Sequence, residues 1–269
     1  MTRYLFIDGA CLRARIEALS NLYCGGAPLQ MNWWGPSGGF QKIFFYDCLP
    51  ARKPNQTEED FEAAKAVVEA QHAQLATFDR FRVNEGDARY RKGRGLEQKK
   101  VDVMIAVDML LHTIRKNMTE ATLIAGDADF TPLLNALSNE GMFVNLIHPP
   151  RASKDLLAAA DARQLLSSWH LHQWLDAPSQ AAMGQVPQPS FGLETHGRNC
   201  KQIWSSEDSR DIQVWWENGE RWPWVSWPAI GRATRFSLMR GNWEHTKTAA
   251  ADDYGVCLPD DLDATIAAL

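Results

Sequence analysis

Residues 4–7, 43–46, 81–83, 122–125 and 143–147 form short apolar or alternating runs, with helix-like segments at roughly 10–19, 58–78, 101–116, 130–140 and 154–168. That alternation constrains the fold more than any other feature. Strands separated by helix-length segments cannot close as hairpins, so each crosses over to lie parallel to a neighbour while the helices cover the sheet. The expected class is α/β, a mainly parallel sheet of about five strands flanked by helices. With 45% hydrophobic residues over 269 positions, the chain can bury one large core, or one core and a smaller appendage. Thr57 with Asp60, and Ser153 ahead of Leu156, have the pattern of helix N-caps, and Gly141 stands where a C-terminal cap belongs.

Past Trp174 the pattern breaks into Asp-Ala-Pro-Ser-Gln and Val-Pro-Gln-Pro-Ser, a composition poor in buriable surface. The expectation is a domain at 1–175, a linker at 176–198 and a small Trp-rich α+β appendage at 199–269. Within the appendage, Ile212 to Trp216 and Arg221 to Trp227 read as a hairpin turning at Asn218-Gly219, and 262–269 reads as a closing helix. So small a unit is expected to dock on the first domain or on a partner.

Acidic residues mark the ends of two strands. Asp8 follows Phe-Ile, and Asp127 and Asp129 follow Leu-Ile-Ala-Gly. In an open α/β sheet the carboxyl ends of the strands form the ligand crevice, and Asp102, in the first turn of a predicted helix, suits the positive end of the helix dipole. Any one of these acids alone reads as a cap or turn residue. Four together need a compensating cation, and an all-oxygen donor set selects Mg²⁺ or Mn²⁺. The chemistry expected of such a site is phosphodiester hydrolysis by a metal-activated water.

Phe6-Ile7-Asp8-Gly9-Ala10, Lys100-Val101-Asp102-Val103 with Ala106-Val107-Asp108-Met109-Leu110, and Ala125-Gly126-Asp127-Ala128-Asp129-Phe130 with Pro132-Leu133 resemble, in order and spacing, the motifs of the NYN family and its LabA-like branch. The resemblance covers about residues 3–170. It implies a PIN-like Rossmannoid fold and Mg²⁺- or Mn²⁺-dependent cleavage of RNA, with Asp8, Asp102, Asp127 and Asp129 as catalytic and metal-site residues. The chain departs from the family in having Cys11 where Asn is common, a poor hydrogen-bonding substitute. Asp108 stands about 240° around the helix from Asp102. It is expected behind the ligands or in an ion pair, approaching a metal only if the helix begins late.

The chain carries a net charge of −5, so phosphate contact requires a local basic patch. Between Arg80 and Lys100 eight basic residues face three acidic ones, interrupted by Gly86, Gly93 and Gly95. This reads as a flexible loop leading substrate toward Asp102. Arg89, Arg91, Lys92, Arg94, Lys99 and Lys100 are the expected nucleic-acid contacts, and Tyr90 a base-stacking one. Trp33 and Trp34 lie in a second glycine-rich insertion, where packing under the loop is favoured over stacking. The tail tryptophans are expected in a core or partner interface. His170-Leu-His172, without carboxylate or Cys neighbours, is a weak metal signal.

Five widely spaced cysteines without a C-x-x-C pair fit a reducing cytoplasm, and no run suggests a signal peptide or membrane span. The leading expectation is an endoribonuclease acting on single-stranded or structured RNA, with DNA as the other candidate. The Trp-rich region would serve a protein partner or a homodimer. The alternative is a non-catalytic nucleic-acid or protein-binding module on the same scaffold. An aspartyl-phosphate enzyme fits poorly, because Ala10 stands where that chemistry requires a second Asp.

Overall fold

Strand β1, Arg3–Asp8, carries Leu5, Phe6 and Ile7 at no more than 1% exposure, the burial on both faces that the centre of a parallel sheet requires. The computed structural model describes residues 1–52, 55–91, 95–191, 200–217, 223–229 and 234–267, with backbone alone at 87–91, 95–99 and 217. The chain divides into two compact units, one of residues Met1–Ile16 and Trp34–Leu166, the other of Glu17–Trp33 and Ser167–Leu269.

In the first unit, β1 is followed by α1 (Gly9–Cys24), α2 (Trp34–Ser37), β2 (Lys42–Cys48), α3 (Glu58–Ala76), β3 (Phe81–Arg91), β4 (Gly95–Lys99) and α4 (Val101–Ile114). Then come β5 (Glu120–Ile124), a 3-10 turn (Ala128–Phe130), α5 (Thr131–Asn139), β6 (Phe143–His148), α6 (Lys154–Ala158) and β7 (Ala162–Leu165). The strand order is β4-β3-β2-β1-β5-β6-β7, parallel throughout except for antiparallel β4. The chain builds outward from β1 through β2 and β3, then returns to β5 on its other side, so the crevice of this sheet opens between the ends of β1 and β5.

Period-2 alternation sorts the side chains. Tyr4, Phe6, Phe44 and Tyr46 pack with Val101, Ile105 and Met109 of α4 and Leu133, Leu134 and Leu137 of α5 in one core. On the opposite face, Phe45 meets His72 of α3, ring centroids 6.0 Å apart. The expected caps form. The Thr57 hydroxyl accepts from Asp60 N–H at 3.1 Å and Ser153 Oγ from Leu156 N–H at 3.0 Å. Gly141, at φ 78°, lets Met142 N–H return to Leu137 O.

The structure corrects the sequence reading at the sheet edges. All five expected strands are present, but β4 and β7 join them. The basic segment after Arg80 is not a loop. It continues β3 and turns back as β4, with Asp87 opposite Lys99 and Arg91 opposite Gly95. The tip at 92–94 lies outside the described residues. The helix expected over 154–168 stops at Ala158, because Asp161 ties the chain to β6: its Oδ2 accepts from Val144 N–H at 2.8 Å and its N–H donates to Val144 O at 3.0 Å. β7 then follows. Both missed strands are at edges, where charged and polar residues are favoured and the apolar signal of a strand is lost.

The second unit carries α7 (Ser168–Trp174), α8 (Ala177–Met183), β8 (Gln188–Phe191), β9 (Cys200–Ser205), β10 (Gln213–Glu217), β11 (Trp224–Pro228), β12 (Arg235–Met239), α9 (Trp243–Tyr254) and α10 (Leu262–Ala267). The strands form an antiparallel sheet of order β8-β12-β11-β10-β9. Residues 176–198, expected as a linker, contain α8 and β8, while 192–198 lie outside the described residues. The prolines misled the reading. Pro178 occupies the first turn of α8 behind the Asp176 N-cap, and Pro189 sits in an edge strand, two places that tolerate a missing N–H. β10 and β11 pair as the expected hairpin does, with the rings of Trp215 and Trp224 stacked at 5.7 Å; its turn at 218–222 is outside the described residues. Trp243, Val214, Val225, Phe236 and Leu238 lie in a core of this unit's own.

Candidate acidic active site

Asp8 ends β1 on the face of Phe6, at the crevice. Its Oδ1 accepts from Ala10 N–H at 3.0 Å and Cys11 N–H at 3.3 Å, capping α1. Gly9 makes this junction passable: a Cβ there would stand 2.8 Å from both Tyr46 O and Phe45 Cζ. The glycine is needed for close approach rather than for a left-handed turn. Across the crevice, Asp127 caps the 3-10 turn, its Oδ1 accepting from Asp129 N–H at 2.9 Å. The cap readings of both acids are therefore realised. Capping orients the two carboxylates without removing their charge.

The charges act on one another. Burial, then the Asp102 charge, push the Asp8 carboxyl above its ordinary value, against the opposing pull of the Cys11 and Ala10 amides and Arg13. The Asp102 carboxyl is raised by partial burial and by Asp127 and Asp129. Cys11, beside Asp8 and Asp127, is buried and pushed up to about 12, so at neutral pH it is a thiol. The four expected acids thus share one negative field, with an uncharged sulfur where the family commonly has an amide. Among the described residues, no three His, Cys, Asp or Glu side chains are gathered tightly enough to hold a metal ion by themselves.

Asp108 sits lower on α4 and accepts a 2.7 Å hydrogen bond from the buried Tyr46 hydroxyl, which this contact and burial keep protonated. Lys100 is exposed and left-handed, φ 80°, immediately before α4. The backbones of Arg89, Arg91 and Lys99 belong to the β3-β4 ribbon; their side chains, with Lys92 and Arg94 altogether, lie outside the described residues. Trp34 is 61% exposed and sets its ring edge-on against Phe78 at 5.7 Å. His170 and His172 lie on helix α7, not on a strand, and contact Ser167 Oγ and Gln180 O respectively.

Sequence reasoning missed a second polar cluster. Asp47, one residue beyond Tyr46 on β2, is buried on the opposite face. Its Oδ2 contacts Arg13 Nη1 and lies 3.3 Å from His72 Nε2, while its Oδ1 accepts from Cys48 N–H at 2.7 Å. His72 Nδ1 lies 2.8 Å from Glu85 Oε1. The available signal was Phe-Phe-Tyr-Asp, an acid ending an apolar strand just as Asp8 does.

An open, mostly parallel α/β unit with several acids at its switch point defines a class of sheet enzymes. Within it, the model of the NYN domain matches residues 51–167, so this unit is an NYN domain with a PIN-like nuclease fold, of a family that generally comprises nucleases. The match takes in Asp102, Asp127 and Asp129; Asp8 precedes it. A crystal structure of a protein of unknown function from Vibrio parahaemolyticus is similar at 15% identity and a TM-score of 0.42, over 65% of this chain and 96% of that one. No curated protein matches the chain. Among the described residues, no helix is long and apolar enough to cross a membrane.

Proposed function

We propose that the NYN unit is a metal-dependent endoribonuclease, with Asp8, Asp102, Asp127 and Asp129 as its acidic centre. The observation that carries this reading is the uncompensated charge at the crevice: a buried carboxylate, Asp8, faces the field of Asp102, which in turn faces Asp127 and Asp129. A hard divalent cation is the natural complement. Mg²⁺ retains several waters and is commonly held by only one or two carboxylates together with substrate phosphate, so a three-ligand protein cage is not required. Asp8 and Asp102, with Asp127 beside them, are the residues that would hold Mg²⁺ or Mn²⁺. When bound, the ion supplies Lewis acidity and a water of lowered pKa for attack at phosphorus.

The chain's own residues do the remainder. The Ala10 and Cys11 amides fix the Asp8 carboxylate, and Asp129 N–H fixes Asp127. Lys100, with Arg89, Arg91, Lys92, Arg94 and Lys99 of the neighbouring ribbon, would neutralise the phosphate backbone without reading sequence. The neutral Cys11 thiol favours a second reading, a module that binds RNA without cutting it.

Labelled single-stranded RNA and DNA incubated with Mg²⁺, Mn²⁺ or EDTA separate the two readings. Metal-dependent cleavage of RNA that is lost in Asp8→Asn and Asp127→Asn supports the nuclease. Cleavage in EDTA, or unchanged in both variants, rejects the mechanism, and binding without cleavage selects the module. Replacing Lys99 and Lys100 by Ala should weaken RNA binding and reduce its salt dependence by about one to two charges.

A further inference from the structure

Beyond Asp102, every exposed residue of α4 is apolar: Val103 at 64%, Val107 at 47%, Leu111 at 40% and Ile114 at 62%. Their spacing, i, i+4, i+8, i+11, aligns them in one stripe along the helix, opposite Val101, Ile105 and Met109 in the sheet core. Single exposed aliphatic residues are ordinary on a protein surface; a continuous stripe on a helix already packed on its other side has the composition of a helix covered twice.

The charges at its ends identify what covers it. Asp102 precedes the stripe and Arg115 follows it, both exposed. Val103 and Ile114 are equidistant from the middle of the helix, and so are Asp102 and Arg115. A second α4 laid antiparallel, about a twofold axis through that midpoint, would bring Val103 opposite Ile114 and Asp102 opposite Arg115 at both ends. A parallel arrangement would set like charges together. An isologous interface requires this self-complementarity, whereas an unrelated partner does not. We propose that α4 is the twofold interface of a homodimer of this chain, packed antiparallel against α4 of the partner.

Sedimentation equilibrium of the full-length chain over a range of concentrations tests it. Wild type should have the mass of two chains, and Leu111→Glu that of one, with unchanged far-UV circular dichroism. Ile114→Lys, at the exposed end of the helix, is the second variant should Leu111→Glu fail to fold, and should also be monomeric. Arg115→Asp should raise the dissociation constant about fivefold, and adding Asp102→Lys should restore it. A wild type that is monomeric at every concentration, a Leu111→Glu or Ile114→Lys protein that remains dimeric, or a charge swap that restores nothing would overturn the proposal.

Discussion

Asp8 and Asp47 close neighbouring strands, one residue out of register, and meet opposite fates. Asp47 faces the α3 side, where Arg13, His72 and the Cys48 amide supply donors around both of its oxygens. Asp8 faces the crevice, where two amides hold one oxygen and the nearest side-chain charges include another acid. Burial of a carboxylate thus does not itself mark a functional site. What separates the two is whether the fold supplies the countercharge or leaves it to be supplied from outside.

The contrast can be broken most forcefully at Asp47. Asp47→Ala leaves Arg13 and His72 without their shared acceptor and should cost about 3 kcal/mol, the scale of breaking a buried pair; urea denaturation would measure it. If the variant unfolds at the wild-type midpoint, the cluster is not structural. Asp8→Asn should behave in the reverse manner. Asn keeps an oxygen for the Ala10 and Cys11 amides, so the fold should survive while cleavage falls on the order of 100-fold or more. Added Mg²⁺ or Mn²⁺ should raise the Tm of wild type and have little effect on Asp8→Asn. An equal rise in both would remove Asp8 from the metal site.

The pH dependence of metal-free protein sharpens the same comparison. The folded Asp8 carboxyl is raised, so the native chain keeps its proton to higher pH than the unfolded chain does. That contribution to stability is complete below the ordinary value of 3.8 and is lost as pH rises through the raised value. Thermal melts should therefore show wild type losing ground to Asp8→Asn on going from acid to neutral pH. A difference independent of pH would mean that the carboxyl titrates normally. The smallest effect is expected at Lys100, whose left-handed backbone carries a strain of about 1 kcal/mol. Lys100→Gly should relieve it and raise the denaturation midpoint while weakening RNA binding, and a variant that binds as well as wild type would show that the lysine makes no phosphate contact.

The acidic centre was readable because Asp8 and Asp127 each follow an apolar strand and a tight glycine junction, a local pattern. The Asp47 cluster was not, since its members lie 34 and 25 residues from Asp47 along the chain and a further 13 from His72 to Glu85, with only tertiary packing to join them. Asp108 was correctly separated from Asp102 by helical geometry, but its partner, Tyr46, comes from a strand 62 residues away. The central strands announced themselves by burial on both faces. β4, β7 and β8 did not, because edge strands carry Lys, Arg, Gln and Pro where interior strands carry Val and Ile.

β3 pairs with β2 only as far as Gly86, opposite Cys48, yet it runs on to Arg91 with β4 at its side. Five residues at about 3.3 Å each make an overhang of roughly 16 Å beyond the rim of the sheet. Such a ribbon can be shortened or lengthened two residues at a time, one from each strand, without shifting the alignment of anything in the sheet beneath it. The reach of this domain toward a long polymer is therefore an adjustable dimension, open to change by evolution or by an engineer while the chemical centre stays as it is.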